Sequence, residues 1–178
     1  MENDPELIHR FVTAAERTDA TVQRIQASPE SLKKELQRVT LGFNNIVIAE
    51  PDDLAPELFD SFLFSTTVIR HPSETQLVSA DIGISDTFAG VARTGSICVS
   101  ITRGLAGAVS LFPKMHCAVL EAKNIVARPR DVFNPEYLDG KGLQRNFVFI
   151  TGPSATADMG SLVKGVHGPE KLHIILMD

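Results

Sequence analysis

Short apolar runs separated by helical patterns are the feature that most constrains this fold. Ile46 to Ala49 is wholly apolar, and Leu172 to Met177 is an apolar run of strand length. A wholly apolar strand is typical of a parallel sheet that is covered on both faces. Amphipathic helices are predicted between such runs, from Pro5 to about Arg17 and from Pro29 to about Val39. We therefore predict an α/β domain with an open, mostly parallel sheet and helices on both faces.

The remaining elements are predicted from the same alternation. Further strands are predicted at Thr66–Ile69, Ala80–Ile84, Ser96–Ile101, His116–Leu120 and Phe147–Ile150, and a short strand is favoured over a helical extension at Ala20–Ile25. Further helices are predicted from Pro51, after Ser73, and as a short polar helix near Asp86 to Ala92. We expect residues 1–45 to pack on the sheet as a helical lead-in. Residues 128–145 should form a surface connection with one helical turn.

Composition narrows the functional classes. The 178 residues suit a single domain, 1–178, and such a domain buries about 70% of its unfolded surface. The net charge is −5 without a Lys/Arg cluster, so we expect no binding to nucleic acid.

No apolar run approaches the ~20 residues of a membrane helix, so we expect no membrane span. The acidic N-terminus lacks the pattern of a secretory signal, and Cys98 and Cys117 lie in apolar runs typical of buried thiols. A cytoplasmic location is expected.

The segment between the last two predicted strands, residues 151–169, is the strongest candidate for a site. We call it the terminal segment. It is rich in Gly, Pro and hydroxyl residues, is too long for a tight hairpin, and is long enough for a crossover between parallel strands. Ligand sites of α/β sheets commonly lie at such connections.

Hydroxyl groups dominate the first part of the terminal segment. Gly152 permits a close backbone approach, while Ser154 and Thr156 can donate hydrogen bonds to a ligand. A short helix beginning near Ser154 would favour an anion at its N-terminus. The alternative is that Ser154, Thr156 and Asp158 cap and brace a turn.

A histidine flanked by glycines dominates the second part. His167 lies between Gly165 and Gly168, and an accessible imidazole there could donate to an oxyanion or transfer a proton. Its ring nitrogens could instead satisfy loop carbonyls.

Two other loops are weaker candidates. Thr94 and Gly95 could form a second wall of the same cleft, or an ordinary glycine helix end. Arg103 could bind a carboxylate or phosphate, or remain a solvated charge.

Metal sites are not predicted. His116 and Cys117 are adjacent, so in a strand their side chains point to opposite faces and cannot grip one ion. Two dispersed cysteines cannot hold an iron–sulfur cluster, which takes about four protein ligands. Neither a dinucleotide fingerprint nor a phosphate loop of the Walker type is present.

The terminal segment carries a family resemblance. Thr151-Gly-Pro-Ser-Ala-Thr-Ala-Asp158, Gly165-Val-His-Gly-Pro169 and the apolar strand that follows resemble the C-terminal signature of the LUD domain, the family of lactate-utilisation protein C. Ala80–Ser85, Thr94-Gly95 and Val109–His116 also match in family order. The resemblance covers the chain from about Ile46 to the C-terminus.

The resemblance implies a fold like that of ribose-5-phosphate isomerase and the CoA-transferases. It also implies a role in oxidising L-lactate to pyruvate, with iron–sulfur clusters on partner proteins and no cofactor in this chain. The site would hold a small carboxylate or phosphate at Ser154 and Thr156, with the backbone of Gly152 and Gly165. His167 would be catalytic.

Asp158 would orient the loop or His167, also with a catalytic role. Many relatives have acidic residues where this chain has Arg93 and Gly160, so two carboxylates are missing. The alternatives to a lactate-oxidising subunit are a non-catalytic anion-binding or assembly module, and a stand-alone isomerase or transferase for phosphorylated or CoA-linked substrates.

Overall fold

A computed structural model describes residues 4–64, 68–102, 104–134, 146–158 and 160–178. Its helices are α1 (Pro5–Arg17), α2 (Pro29–Thr40), α3 (Glu57–Leu63), α4 (Glu74–Val78) and α5 (Ala106–Leu111). Its strands are β1 (Thr21–Ile25), β2 (Ile46–Ile48), β3 (Ile82–Asp86), β4 (Ala89–Val91), β5 (Ser96–Ser100), β6 (Met115–Glu121), β7 (Ile125–Val126), β8 (Phe147–Ile150), β9 (Ala155–Thr156), β10 (Val163–Lys164) and β11 (Lys171–Met177).

The central sheet has five strands in the order β1-β11-β6-β3-β2, and each neighbouring pair is parallel. Both of its faces are covered. Ala118 and Leu120 of β6 pack in one apolar cluster with residues of α1 and α5. Cys117 and Val119 point the other way, into a second cluster with residues of α2 and α3. The predicted open, mostly parallel sheet with helices on both faces is confirmed.

The first two helices begin where their capping residues predict. The Asp4 carboxylate accepts hydrogen bonds from the backbone of Glu6 and Leu7 at the start of α1. The Ser28 hydroxyl caps α2, and Pro29 occupies its first turn. The residues before position 46 also contribute β1, so the predicted helical lead-in supplies an edge strand of the sheet.

A second sheet, which the sequence did not predict, packs against the first. Its order is β7-β4-β5-β8, with β4 and β8 both antiparallel to β5. The helix predicted near residues 86–92 is wrong, because the buried residues of β4 form a hairpin with β5. A Cβ at Gly90 would lie 2.7 Å from the Leu120 side chain of the central sheet, so the glycine lets the two sheets pack closely.

The terminal segment therefore joins two sheets. β8 belongs to the second sheet and β11 to the central one, so the predicted crossover within a single sheet is not formed.

The helix predicted from Pro51 is also wrong at its start. The carboxylate of Asp86, at the end of β3, accepts hydrogen bonds from the backbone N–H groups of Asp52, Asp53 and Leu54 at 2.6 to 2.9 Å. These donors are satisfied outside a helix, and α3 begins only at Glu57.

Two other predicted elements are only partly described. Ile69 makes a single parallel bridge to Val47, while residues 66 and 67 of that predicted strand lie outside the described residues. The predicted helical turn after residue 128 is a 3-10 helix, Pro129–Phe133, and residues 135–145 lie outside the described part of the chain. Within the described residues, no helix has both the length and the apolar character needed to cross a bilayer.

Candidate functional site

A cavity of about 690 Å³ lies between α5, β8 and the terminal segment. Its lining residues differ in burial, and five are half-buried: Gly107, Ile150, Pro153, Ser154 and Gly168. The buried ones form what we call the floor: Ser110, His116, Gly152, Pro169 and Leu172. The exposed ones form the mouth: Ile101, Leu111, Val148, Phe149, Thr151, Ala155 and His167. The volume falls within the ~300–1,000 Å³ typical of pockets for small molecules.

The cavity lies at the amino-terminal ends of two central strands. His116 is the second residue of β6, and Leu172 is the second residue of β11. Open α/β sheets usually bind ligands at the opposite, carboxyl-terminal ends. The expectation that the terminal segment lies at the usual position is therefore wrong for this sheet. The edge strand β8 supplies the outer wall instead.

His116 is the polar side chain of the floor that sequence reasoning missed. It is 1% exposed, and its Nε2 lies 2.9 Å from the hydroxyl oxygen of Ser85 on β3. Its Nδ1 has no hydrogen-bond partner among the described residues. Burial lowers the pKa of His116 to about 3, so the ring is neutral at physiological pH.

A signal for His116 was present in the sequence. The sequence predicts that His116 and Cys117 point to opposite faces of their strand and share no metal ion. The opposite orientation of Cys117 is confirmed. The same alternation places His116 on the face of β6 that carries Ala118 and Leu120. A polar residue on an otherwise apolar strand face is a candidate for contact with a ligand.

Ser154 ties the two parts of the terminal segment together. Its backbone N–H donates to the Pro169 carbonyl at 2.8 Å, and its hydroxyl accepts from the backbone N–H of His167 at 3.2 Å. Gly165 donates its N–H to the Ser154 carbonyl. Ser154 therefore braces the segment, as the structural alternative predicted, and it also lines the cavity. Its contact with a ligand stays a prediction.

The glycines of the terminal segment differ in role. Gly152 has φ +68°, and a Cβ there would lie 2.1 Å from the Thr18 carbonyl oxygen at the end of α1. Gly168 lines the cavity, with its position for a Cβ 3.3 Å from the Ser154 Cβ. Gly165 has φ +80° and is exposed, outside the lining.

No helix begins near Ser154. Ala155 and Thr156 instead form β9, which pairs with β10 as an antiparallel ribbon. The anion site at a helix N-terminus is therefore not formed. Thr156 lies outside the cavity lining, and its hydroxyl accepts from the backbone N–H of Asp158 at 3.4 Å.

The two predicted catalytic side chains are not brought together. His167 lies at the mouth with an exposed side chain, whereas Asp158 is exposed and outside the lining. Among the described residues, neither a hydrogen bond nor an ion pair joins them. An orienting role of Asp158 for the His167 ring has no support in this geometry.

Thr94 and Gly95 lie outside the cavity lining. Gly95 is buried with φ +69°, and a Cβ there would lie 2.2 Å from the backbone nitrogen of Ala15 in α1. The Thr94 hydroxyl contacts that of Ser96, which contacts that of Thr151, each at 2.7 Å. The turn thus anchors the β4-β5 hairpin on α1 and reaches the cavity mouth through a chain of hydroxyls.

The remaining candidates can be placed briefly. Arg93 is exposed. Arg103 lies outside the described residues. In the part of the chain that the structure describes, no three His, Cys, Asp or Glu side chains gather where they could hold a metal ion.

Comparison with known families decides which group the protein falls in. Residues 55–177 match the LUD domain, which accounts for most of the chain and all of the cavity lining. The chain belongs to the LUD domain family. The resemblance read from the terminal segment is thereby confirmed.

The relatives in this LUD family include several named lactate utilization protein C. The one from Oceanobacillus iheyensis is 23% identical over 164 residues, which are 89% of this chain and 67% of the relative. The one from Shouchella clausii is 35% identical over 102 residues, 56% of this chain and 44% of the relative. The chain thus spans between 44% and 67% of the length of these two relatives.

A solved structure shares the LUD fold. The crystal structure of a DUF162 family protein from Deinococcus radiodurans, at 1.70 Å resolution, superposes with a TM-score of 0.70 and 22% sequence identity. The match covers 97% of each chain. The arrangement of two sheets and flanking helices is therefore found in a second protein, and at this identity the likeness concerns the fold alone.

Proposed function

We propose that this LUD domain protein acts in lactate utilisation, as a subunit without iron–sulfur centres in an assembly that oxidises L-lactate to pyruvate. The observation that carries the proposal is that the terminal segment, which bears the family signature, forms a wall of the cavity. The names of the relatives supply the pathway. Since the chain spans only part of those relatives, the role proposed is that of the LUD domain.

The mouth of the cavity is suited to a small carboxylate or phosphate. His167 offers a ring N–H there, and Thr151 offers an exposed hydroxyl. Ser154 holds the backbone of His167 in place, so the imidazole is presented from a braced loop. Hydrogen bonds from such donors orient an anion at the opening of a largely apolar cavity.

The two cysteines of the chain do not form an iron–sulfur site. Cys98 and Cys117 are both buried and belong to different apolar clusters, so they cannot jointly ligate a cluster. Iron–sulfur clusters take about four ligands, mostly thiolates. These facts support the expectation that partner proteins carry the iron–sulfur centres.

Deletion and complementation test this proposal. Cells that lack the gene should lose L-lactate consumption, and expression of the full chain should restore it. A tagged chain should also recover an iron–sulfur protein, recognised by its iron content and visible absorption. Unchanged lactate consumption in the deletion strain would contradict the proposal.

A second candidate is a module that binds a small anion without catalysis. It is favoured by the position of Asp158 outside the cavity lining, where no described hydrogen bond or ion pair joins it to His167. The isolated chain would then show no turnover, but a ligand that binds only the native state would raise its melting temperature. A screen of lactate, pyruvate, sugar phosphates and acyl-CoA esters without any shift would exclude the sensor form of this candidate.

A further inference from the structure

The floor of the cavity differs chemically from its mouth. His116 is almost fully buried there, and its Nδ1 lacks a hydrogen-bond partner among the described residues. Buried polar atoms are nearly always hydrogen-bonded, and one left without a partner costs free energy. The other polar side chain of the floor, that of Ser110, donates its hydroxyl to the Gly107 carbonyl at 2.9 Å. His116 therefore has hydrogen-bonding capacity that the fold does not use. Nδ1 is itself covered by neighbouring atoms, so a ligand must displace them to reach it.

Both tautomers of His116 leave Nδ1 for a ligand. If the Ser85 hydroxyl donates to Nε2, then Nδ1 carries the proton and is a donor. If Nε2–H donates to the Ser85 oxygen, then Nδ1 is an acceptor. In the first case the ring can hold a carbonyl oxygen, and in either case it can bond a hydroxyl group.

The floor does not suit a charged group. The described lining residues include neither lysine nor arginine, and the His116 ring stays neutral. Leu172, the register partner of His116 on β11, and Pro169 also line the floor with apolar surface. A carboxylate buried there would lose its hydration without gaining a counter-charge, which is strongly unfavourable.

The cavity is larger than lactate requires. The six heavy atoms of lactate would occupy at most about 180 Å³, if each took the ~30 Å³ that a molecule takes in liquid water. The cavity holds about 690 Å³. Much of the remaining wall is apolar and partly exposed, formed by Leu111, Val148 and Phe149.

We propose that Nδ1 of His116 binds an uncharged carbonyl or hydroxyl oxygen of a ligand whose apolar or aromatic body lies along Leu111, Val148 and Phe149. Ser85 is a positioning residue, since it acts by holding Nε2 of the ring. The inference rests on the proposed function only in taking this cavity as the ligand site. It adds that the bound molecule is larger than lactate and that its buried end is uncharged.

A matched pair of small molecules tests the chemistry of the floor. The probes are 4-phenyl-2-butanone, an uncharged ketone, and 4-phenylbutyrate, a carboxylate of similar size. Both are titrated into the full chain and followed by calorimetry and by ¹H–¹⁵N spectra of the histidine rings. We expect the ketone to shift the Nδ1 resonance of His116, and the carboxylate, which the mouth can hold through His167, to leave that resonance unmoved.

Variants assign the binding to His116. His116→Leu should weaken ketone binding about tenfold, whereas His9→Ala, at an exposed position on α1, should leave it unchanged. Ser85→Ala should change the tautomer ratio of His116 and weaken ketone binding. Ser85→Thr keeps a hydroxyl, so it should retain the wild-type tautomer ratio and the wild-type affinity for the ketone.

Several outcomes would overturn the inference. They are no ketone binding to the wild-type chain, a carboxylate that shifts the Nδ1 resonance of His116 as far as the ketone does, or an Nδ1 resonance that the ketone leaves unmoved. The last measurement needs no variant, so it holds even if His116→Leu does not fold. Ketone binding through His116 together with unimpaired lactate consumption in the deletion strain would contradict the proposed function alone. Lactate consumption that depends on a chain without ketone binding would contradict this inference alone.

Discussion

Nε2 of His116 lies 2.9 Å from the hydroxyl oxygen of Ser85, while Nδ1 of the same ring has no partner among the described residues. One nitrogen thus fixes the ring to the neighbouring strand β3. The other is left on a ring that lines the cavity floor. The hydrogen bond to β3 thus fixes the orientation of a ring that lines the candidate site.

The buried His116 ring makes stability depend on pH. Burial lowers its folded-state pKa to about 3, whereas the unfolded value is near 6.5. Between these values the unfolded chain binds the proton and the folded chain does not, so stability falls as the pH falls. The loss approaches about 1.4 kcal/mol per pH unit. From about pH 7 to about pH 5, the free energy of unfolding in urea should therefore drop about 2 kcal/mol more in the wild-type chain than in His116→Leu.

The variant isolates His116 from other groups. Burial also lowers the pKa of His173, which adds to the acid sensitivity of both proteins equally. Equal losses of stability in the wild type and in His116→Leu would show that the His116 ring gains a proton in the folded state.

Gly152 should tolerate no side chain. In Gly152→Ala the methyl group would lie 2.1 Å from the Thr18 carbonyl oxygen, in addition to the strain of φ +68°. Gly42→Ala is a matched control, with φ +85° and nothing within 4 Å of the new methyl group. We expect a loss of about 1 kcal/mol in the control and at least about 3 kcal/mol in Gly152→Ala. Similar melting temperatures for the two variants would contradict the close contact between the terminal segment and α1.

Both cysteines should resist thiol reagents in the native state. Cys98 and Cys117 are 0% exposed, and burial raises the pKa of the Cys117 thiol above its ordinary range. Because the thiolate is the reactive form, labelling should require unfolding. Mass spectrometry should find no alkylated cysteine in buffer and two in denaturant. Rapid labelling of either residue in buffer would contradict the core packing described.

Asp86 should stabilise the loop that follows β2. Its carboxylate accepts three backbone hydrogen bonds, from Asp52, Asp53 and Leu54. Asp86→Ala leaves these donors without an acceptor and should cost about 3 kcal/mol of unfolding free energy. Asp60→Ala removes an exposed carboxylate of α3 and should cost less than about 1 kcal/mol. Equal effects in chemical denaturation would contradict the anchoring role.

Helices whose signals lie within a few residues of one another were predicted correctly from the sequence. α1 and α2 follow from their apolar spacing and from the caps Asp4 and Ser28, all of which lie within a few residues. The hairpin of β4 and β5 was missed because its packing is long-range. Its Gly90 packs against Leu120, thirty residues away in another sheet. The late start of α3 was missed for a similar reason, since Asp86 takes the backbone donors of the preceding loop.

The candidate site was predicted where its residues are close in sequence. Ser154, His167 and Gly168 belong to one segment, and all three line the cavity. The alternation of β6 marks His116 as a polar residue on an apolar face, but its partner Ser85 and the cavity wall β8 come from other strands and are seen only in the fold. Thr94 and Gly95 match the family signature, but Gly95 lies against α1 and neither residue lines the cavity, so a motif match alone did not place them.

The most direct test of the account is lactate-dependent reduction of an acceptor dye by the reconstituted assembly with His167→Ala in place of the wild-type chain. His9→Ala, which removes an exposed imidazole from α1, is the control. The account predicts that both variants fold with wild-type melting temperatures, that His9→Ala retains full activity, and that His167→Ala abolishes dye reduction. Full activity of the assembly with His167→Ala would contradict a functional imidazole at the cavity mouth.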